Sequence, residues 1–415
     1  MKRYACLFWL IVTLPVAATA LDIHSPDGKI ALSFDVKDMA SEQGVPAYSV
    51  TVEGQKILAD SRLGFELADD KTLASSMTLG TVRRFSNNTS WQPVYGEKNL
   101  YQDHYNEMTV SLQQTHAPFH LVDVAFRCYD TGVAFRSTIL PSQRNESVLI
   151  QKELTEFSFL ENHTAWVTRS AQGDYSKLPI SNLGKNVERP LTMQLNDSLY
   201  VAIAEAGLVD YARMKLGQST ERPLTIVSEL SSPVQATLPV ATPWRVLMIA
   251  HSPGELLENN GILLNLNEPC AINDPSWIKP GKVIREVTLT TQGGKTCVDF
   301  ARAHNLQYVE FDAGCYGLEY DNASDATTIT VDPKRSPGPL DLHEVIRCAK
   351  TQDIGILLYV NQRALTQQLD DILPLFEQWG IAGVKYGFVN VGSQEATSWL
   401  HRAIRKAAHH HLMVD

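Results

Sequence analysis

No stretch of this sequence is apolar for the roughly 20 consecutive residues that a membrane-spanning helix needs, so insertion into a membrane is not expected. The nearest approach is residues 6–16, and its surroundings are those of a secretory leader. Lys2 and Arg3 precede it, and Ala18-Thr19-Ala20 supplies a small-residue cleavage site. A signal peptide over 1–20 is therefore expected, with the mature chain starting near Leu21 in a periplasmic or secreted setting. Cys6 lies inside the apolar core and not beside the cleavage site, which argues against a lipid anchor.

Long runs of one charge are also missing. Losing Lys2 and Arg3 with the leader takes the formal charge from −10 to −12, spread along the chain. A dispersed acidic surface argues against nucleic acid or anionic membrane as partner. Cysteine is scarce and unpatterned. The five beyond the leader, Cys128, Cys270, Cys297, Cys315 and Cys348, are odd in number and contain no C-x-x-C, so neither a zinc site nor a disulfide framework is expected. Most sit in apolar segments and read as small core side chains, with one or two bridges left open. What is present, 44% hydrophobic and 20% charged residues over 415, is ordinary globular composition with enough length for two or three domains.

Two halves differ in pattern. From 21 to about 267, short segments such as 30–36, 47–52, 108–112 and 121–127 alternate apolar and polar residues between Gly, Pro, Asn and Asp. Period-2 patterning of this kind predicts antiparallel strands, and the length favours a large sandwich over 21–270. Beyond Pro269, helices at 294–305, 340–351, 365–379 and 394–410 alternate with apolar strands at 307–312, 354–360, 383–389 and 412–415, with a weaker first strand at 283–290. Continuous apolar strands imply a parallel sheet covered by helices. The rhythm is that of a (β/α)8 barrel, although a doubly wound sheet shares it. Five strands fall short of eight, so the chain is expected to stop inside an incomplete barrel, 271–415.

In such a barrel the chemistry lies at the carboxyl ends of the strands. Asp312, Asn361 and Lys385 stand there and are the substrate-binding candidates. Asp312 reads equally well as a loop cap. Lys385 lies within an apolar strand, where a lysine is costly unless paired, so a role at the barrel mouth is the better reading. Glu310 shares a strand face with Asp312, so the two carboxylates read either as acid and base or cation ligands, or as a structural pairing with Lys385. Glu205, at the end of an apolar strand in the first half, either marks that end or projects toward the second half. The run His409-His410-His411 lacks the one-face spacing of a helical metal site.

Several segments together resemble glycoside hydrolase family 97: Phe126-Arg-Cys-Tyr-Asp-Thr-Gly-Val-Ala-Phe-Arg136, Ile203-Ala-Glu-Ala206 with Asp210-Tyr211, Thr242-Pro-Trp-Arg245, Leu264-Asn-Leu-Asn267, Ser276-Trp-Ile-Lys-Pro-Gly-Lys282, Tyr308-Val-Glu-Phe-Asp312 and Gly383-Val-Lys-Tyr-Gly-Phe388. The resemblance implies an N-terminal β-super-sandwich, a catalytic TIM barrel and exo-acting α-glucosidase or α-galactosidase activity on a carbohydrate substrate, with a monomer expected. It also implies a calcium ion (Ca2+), with Glu205 matching a sandwich-domain glutamate that reaches that ion. Retaining members resemble Lys-Val-Asp-Phe on the fourth strand, the aspartate being the nucleophile. Here Gly387 takes that place, so no glycosyl ester can form there and inversion is expected. Inverting members use acids on the third and fifth strands, from which Asn361 departs. The general acid and base are expected after Asp415, so no catalytic residue is identifiable within the chain, and Asp415 itself reads as a structural or supporting acid. A non-catalytic glycan-binding protein with a degenerate barrel is the competing reading, and a metal hydrolase using the histidine run is a weaker one.

Overall fold

A computed structural model of the protein describes residues 20–68, 72–117, 119–142 and 146–415. The expected leader, apart from Ala20, lies outside the described residues. The first part is built from antiparallel strands. One large sheet runs from the strand Ser176–Pro179 at one edge to Met77–Trp91 at the other, and sheets of four, three and three strands pack on it. Alternation drives this arrangement. In Ile30–Met39 the residues Ile30, Leu32 and Phe34 are buried while their neighbours are not. They meet Met108, Val110, Val124 and Phe126 of the large sheet in one continuous core. The opposite face of that sheet carries a smaller cluster around Trp244, Ala204 and Met248, covered by the short helices Pro253–Glu258 and Gly261–Asn265. Cys128 and Cys315 are buried free thiols, whereas Cys270 is exposed.

The second part is a five-stranded sheet, all parallel, with its strands in sequential order: Val283–Glu286, Tyr308–Phe311, Gly355–Asn361, Gly383–Gly387 and Met413–Val414. Val309, Phe311, Ile356, Leu358, Val360, Val384 and Tyr386 belong to one core with residues of all four crossover helices, such as Val298, Val345, Leu369 and Ala403. Helices thus cover one face, which a doubly wound sheet does not allow. An eight-stranded closed barrel is not what these residues form: the described sheet has five strands and is open. Alternation places Glu310, Asp312, Tyr359, Asn361, Lys385 and Gly387 on the face away from the helices.

Element ends differ from the sequence expectation where caps intervene. The helix expected from 294 begins at Thr291, because the Thr290 hydroxyl accepts from the Gly293 amide at 3.0 Å. The helix expected from 365 begins at Gln362, capped by Asn361, whose side chain accepts from the Arg363 amide at 2.9 Å. The fourth strand stops at Gly387, since Phe388 takes a left-handed conformation with φ of 50°.

The two parts meet at the loop and helix that follow the fourth strand. The Gly392 carbonyl accepts from the Arg213 amide at 2.7 Å, and the Gln394 side chain makes paired bonds of 2.9 Å with the Gln235 backbone. Ser398 bonds the Asp210 carboxylate, and His401 Nε2 lies 2.8 Å from the Leu208 carbonyl. Behind this contact lies a buried ionic cluster. The Arg245 guanidinium is held between Glu153 and Glu205, all three side chains being at most 2% exposed. Burial alone disfavours the Arg245 charge, but the two carboxylates outweigh it and raise its pKa.

Removing one member of a buried ion cluster strands the others. Arg245→Ala is therefore expected to cost about 3–5 kcal/mol in denaturant unfolding followed by tryptophan fluorescence. A loss below about 1 kcal/mol, the scale of an exposed pair, would show that water reaches these groups.

Candidate active site

The face of the parallel sheet turned away from the helices is polar toward the carboxyl ends of its strands. Lys385 on the fourth strand reaches Glu310 on the second at 3.1 Å, with the glutamate side chain 4% exposed and the lysine 31%. Asp312, two residues further on and just past the end of the second strand, meets Arg285 of the first at 3.2 Å and stays partly open to solvent. Burial holds the Glu310 carboxyl above its usual pKa. Lys385 works against that shift, while Asp312 and Asp415 add to it by repulsion. Lys385 is thus both paired, as a lysine in an apolar strand must be, and accessible at the mouth. Asp415 enters the ladder by its backbone, donating to the Val384 carbonyl at 3.0 Å and accepting from the Tyr386 amide at 2.8 Å.

Asn361 differs from its expected role. Its side-chain oxygen caps the following helix, its backbone amide donates to the Tyr316 hydroxyl at 2.9 Å, and its side-chain nitrogen lies 3.4 Å from the Tyr359 hydroxyl. At 4% exposed, it holds the third strand's end in place and offers little to a ligand. Gly387 pairs across from Asn361 on the fourth strand. The aromatic ring of Tyr359 occupies the place where a side chain at 387 would project.

Glu205 does not meet other acids. One of its oxygens receives the Met214 amide at 3.0 Å together with the Arg245 guanidinium, and the other takes two bonds from Arg189 at 2.6 and 2.7 Å. A carboxylate 1% exposed and clasped by two guanidinium groups has no oxygen lone pair directed at a cation. Among the described residues, no group of three or more His, Cys, Asp or Glu side chains is placed to hold a metal ion. Glu205 is thus an ionic anchor in this structure, and the described residues do not by themselves make a calcium site. The histidine run is split: His410 pairs with Glu377 at 2.7 Å, and His411, with φ of 52°, turns its ring toward Trp277.

Two side chains of this region escaped sequence reasoning. Tyr359 lies two residues before Asn361, so strand alternation alone assigns it to the same face. Glu319 sits in the loop after the second strand, 2% exposed, with one oxygen 2.8 Å from Arg335 and the other buried without a hydrogen-bond partner among the described residues. A polar loop gives no periodicity to reveal it.

The raised Glu310 pKa fixes a pH trend. The folded chain binds this proton more tightly than the unfolded one, so stability relative to Glu310→Gln falls as pH rises from the ordinary carboxylate range through the raised value, and is level above it. A difference that grows with pH would mean that Lys385 outweighs burial. Calcium is expected to leave the melting temperature of this chain unchanged. A rise that saturates with calcium and disappears in Glu205→Gln would restore the ligand role.

A family model described as "Glycosyl-hydrolase 97 N-terminal" matches residues 23–269, and one described as "Glycoside hydrolase 97" matches 277–415. The chain is 23% identical, over 99% of its length, to a retaining alpha-galactosidase of Bacteroides thetaiotaomicron, and covers 66% of that protein. It is 25% identical, over 71% of its length, to a probable retaining alpha-galactosidase of Streptomyces bingchenggensis, of which it covers 46%. A family 97 enzyme from Pseudoalteromonas sp. strain K8, solved in complex with acarbose, superposes over 95% of the chain with a TM-score of 0.85 at 26% identity, and the chain covers 65% of it. The chain thus spans less than two thirds of the solved enzyme's length. With both parts of the fold matched in order, the chain belongs to glycoside hydrolase family 97.

Proposed function

We propose that the protein is an α-glycosidase that removes terminal α-linked galactosyl or glucosyl residues by direct attack of water. The observation that carries this reading is the polar strand-end face, Glu310, Lys385 and Asp312 beside Gly387, in a chain of this family. Two kinds of relative support the substrate class: the curated ones are named alpha-galactosidases, and the Pseudoalteromonas enzyme was solved with acarbose and, as a variant, with panose.

The mechanism follows from what the residues can and cannot do. A retaining glycosidase needs a carboxylate that attacks the anomeric carbon and forms an ester. The relatives carry "retaining" in their names, yet Gly387 has no side chain with which to do this. At 23% identity the local chemistry weighs more than the shared name. Water must then be the nucleophile, entering opposite the departing sugar, with a carboxylate to take its proton. Lys385 and Asp312 serve as the sugar-hydroxyl contacts, one a donor and one an acceptor, while Asn361 acts through the strand end that it holds. In this reading the five parallel strands described above are the first part of a (β/α)8 barrel, as the family resemblance implies. Calcium is carried by the family resemblance alone, and no step of this mechanism depends on it.

A glycan-binding protein without turnover is the second reading, favoured by the lack of a carboxylate at both Gly387 and Asn361. One experiment separates these. The protein at its natural full length, given an aryl α-galactoside and an aryl α-glucoside, is expected to release sugar that proton NMR first detects as the β-anomer. The α-anomer appearing first would overturn inversion. Acarbose binding without any release would favour the binder.

A further inference from the structure

Replacing an aspartate by glycine ordinarily leaves a hole, and in a glycosidase that hole can admit water. Here no such hole exists. A Cβ built on Gly387 overlaps three atoms of Tyr359, namely Cε2, Cζ and the hydroxyl oxygen. The ring cannot simply swing aside. Tyr359 is 3% exposed, lies on the neighbouring strand two pairs before Asn361 and Gly387 and so on the same face, and has its hydroxyl 3.4 Å from the Asn361 side-chain nitrogen. Asn361 is itself fixed by the helix that it caps and by the Tyr316 hydroxyl.

We propose that Tyr359 and Gly387 form one unit: the tyrosine ring fills the volume in which a nucleophilic side chain at 387 would stand, so that the covalent route is closed by two residues and not by the glycine alone. Tyr359 is a positioning residue in this account. It does not replace the missing nucleophile, because burial and the nearby Tyr320, Glu319 and Asp312 keep its phenol protonated, with Asn361 only partly opposing them. This inference rests on the glycosidase reading for its chemical meaning, but its packing claim stands apart from that reading.

The test is a cycle of variants in the full-length protein. Gly387→Ala adds only the Cβ and is expected to lower the melting temperature. The drop should vanish in a Tyr359→Leu background, which removes all three overlapping atoms, and should persist in Tyr359→Phe, which removes only the hydroxyl. Equal drops in all three backgrounds would overturn the proposal. The second arm uses Gly387→Asp with a 5-fluoro-α-galactosyl fluoride and the glucosyl analogue, read by intact mass. The aspartate oxygen bonds to the anomeric carbon as the C–F bond breaks and fluoride leaves with its electron pair. Tyr359→Leu combined with Gly387→Asp is expected to gain one sugar mass, while Gly387→Asp alone and the unaltered protein do not. An adduct on the unaltered protein, or on Gly387→Asp alone, would overturn the closed route. Relief of the melting penalty without any adduct would uphold the paired packing and count against the glycosidase reading instead.

Discussion

The buried charge on Arg245 is the constraint around which the two parts of the molecule are arranged. A guanidinium at 1% exposure is tolerable only because Glu205 faces it from the paired strand and Glu153 from a strand of another sheet, and because each carboxylate has further donors. Glu205 extends the cluster to Arg189 and to the Met214 amide. The residue before Met214 donates its own amide to Gly392, in the loop that follows the fourth parallel strand. A short chain of bonds therefore runs from the interior of the antiparallel part to the mouth of the parallel sheet. Its first members are charged and its last is a backbone hydrogen bond, but all are directional, unlike the apolar contacts elsewhere, so this junction is fixed in orientation as well as in distance.

This changes what Glu205 means. From its position at the end of an apolar strand, followed by small residues, it reads either as a marker of that end or as an acid projecting toward the second half. A strand-end acid and a buried counter-ion are identical in a sequence when the partner arginines lie 16 residues before and 40 after. Other features were readable for good reasons. The order and kind of elements after 283 follow from apolar runs alternating with amphipathic helices, and strands such as 30–36 and 121–127 follow from period-2 burial. The sequential strand order was not readable, because a doubly wound sheet has the same rhythm. What settles it is that the residues facing the helices form one core.

At the candidate site the same distinction holds. Lys385 was singled out because an amine inside an apolar strand needs an explanation, and Glu310 supplies it. Asn361 was placed at the strand end correctly, yet its side chain serves the next helix, as Asn often does at such a junction. The overlap of Tyr359 with the space at Gly387 could not be foreseen. It depends on the sideways stagger of two parallel strands, which no single-chain periodicity encodes.

Two neighbouring positions on this face consequently differ in how freely they can change over evolutionary time. A single nucleotide change converts Asn361 to aspartate, which caps a helix as well as asparagine does and suits the positive end of the helix dipole. An acid can thus arise at the end of the third strand without disturbing the scaffold. Position 387 has no such freedom, since any side chain there must wait for its tyrosine neighbour to shrink first. A new acid for activating water is thus far easier to introduce on this face than a covalent nucleophile at 387, and the ring of Tyr359 sets the difference.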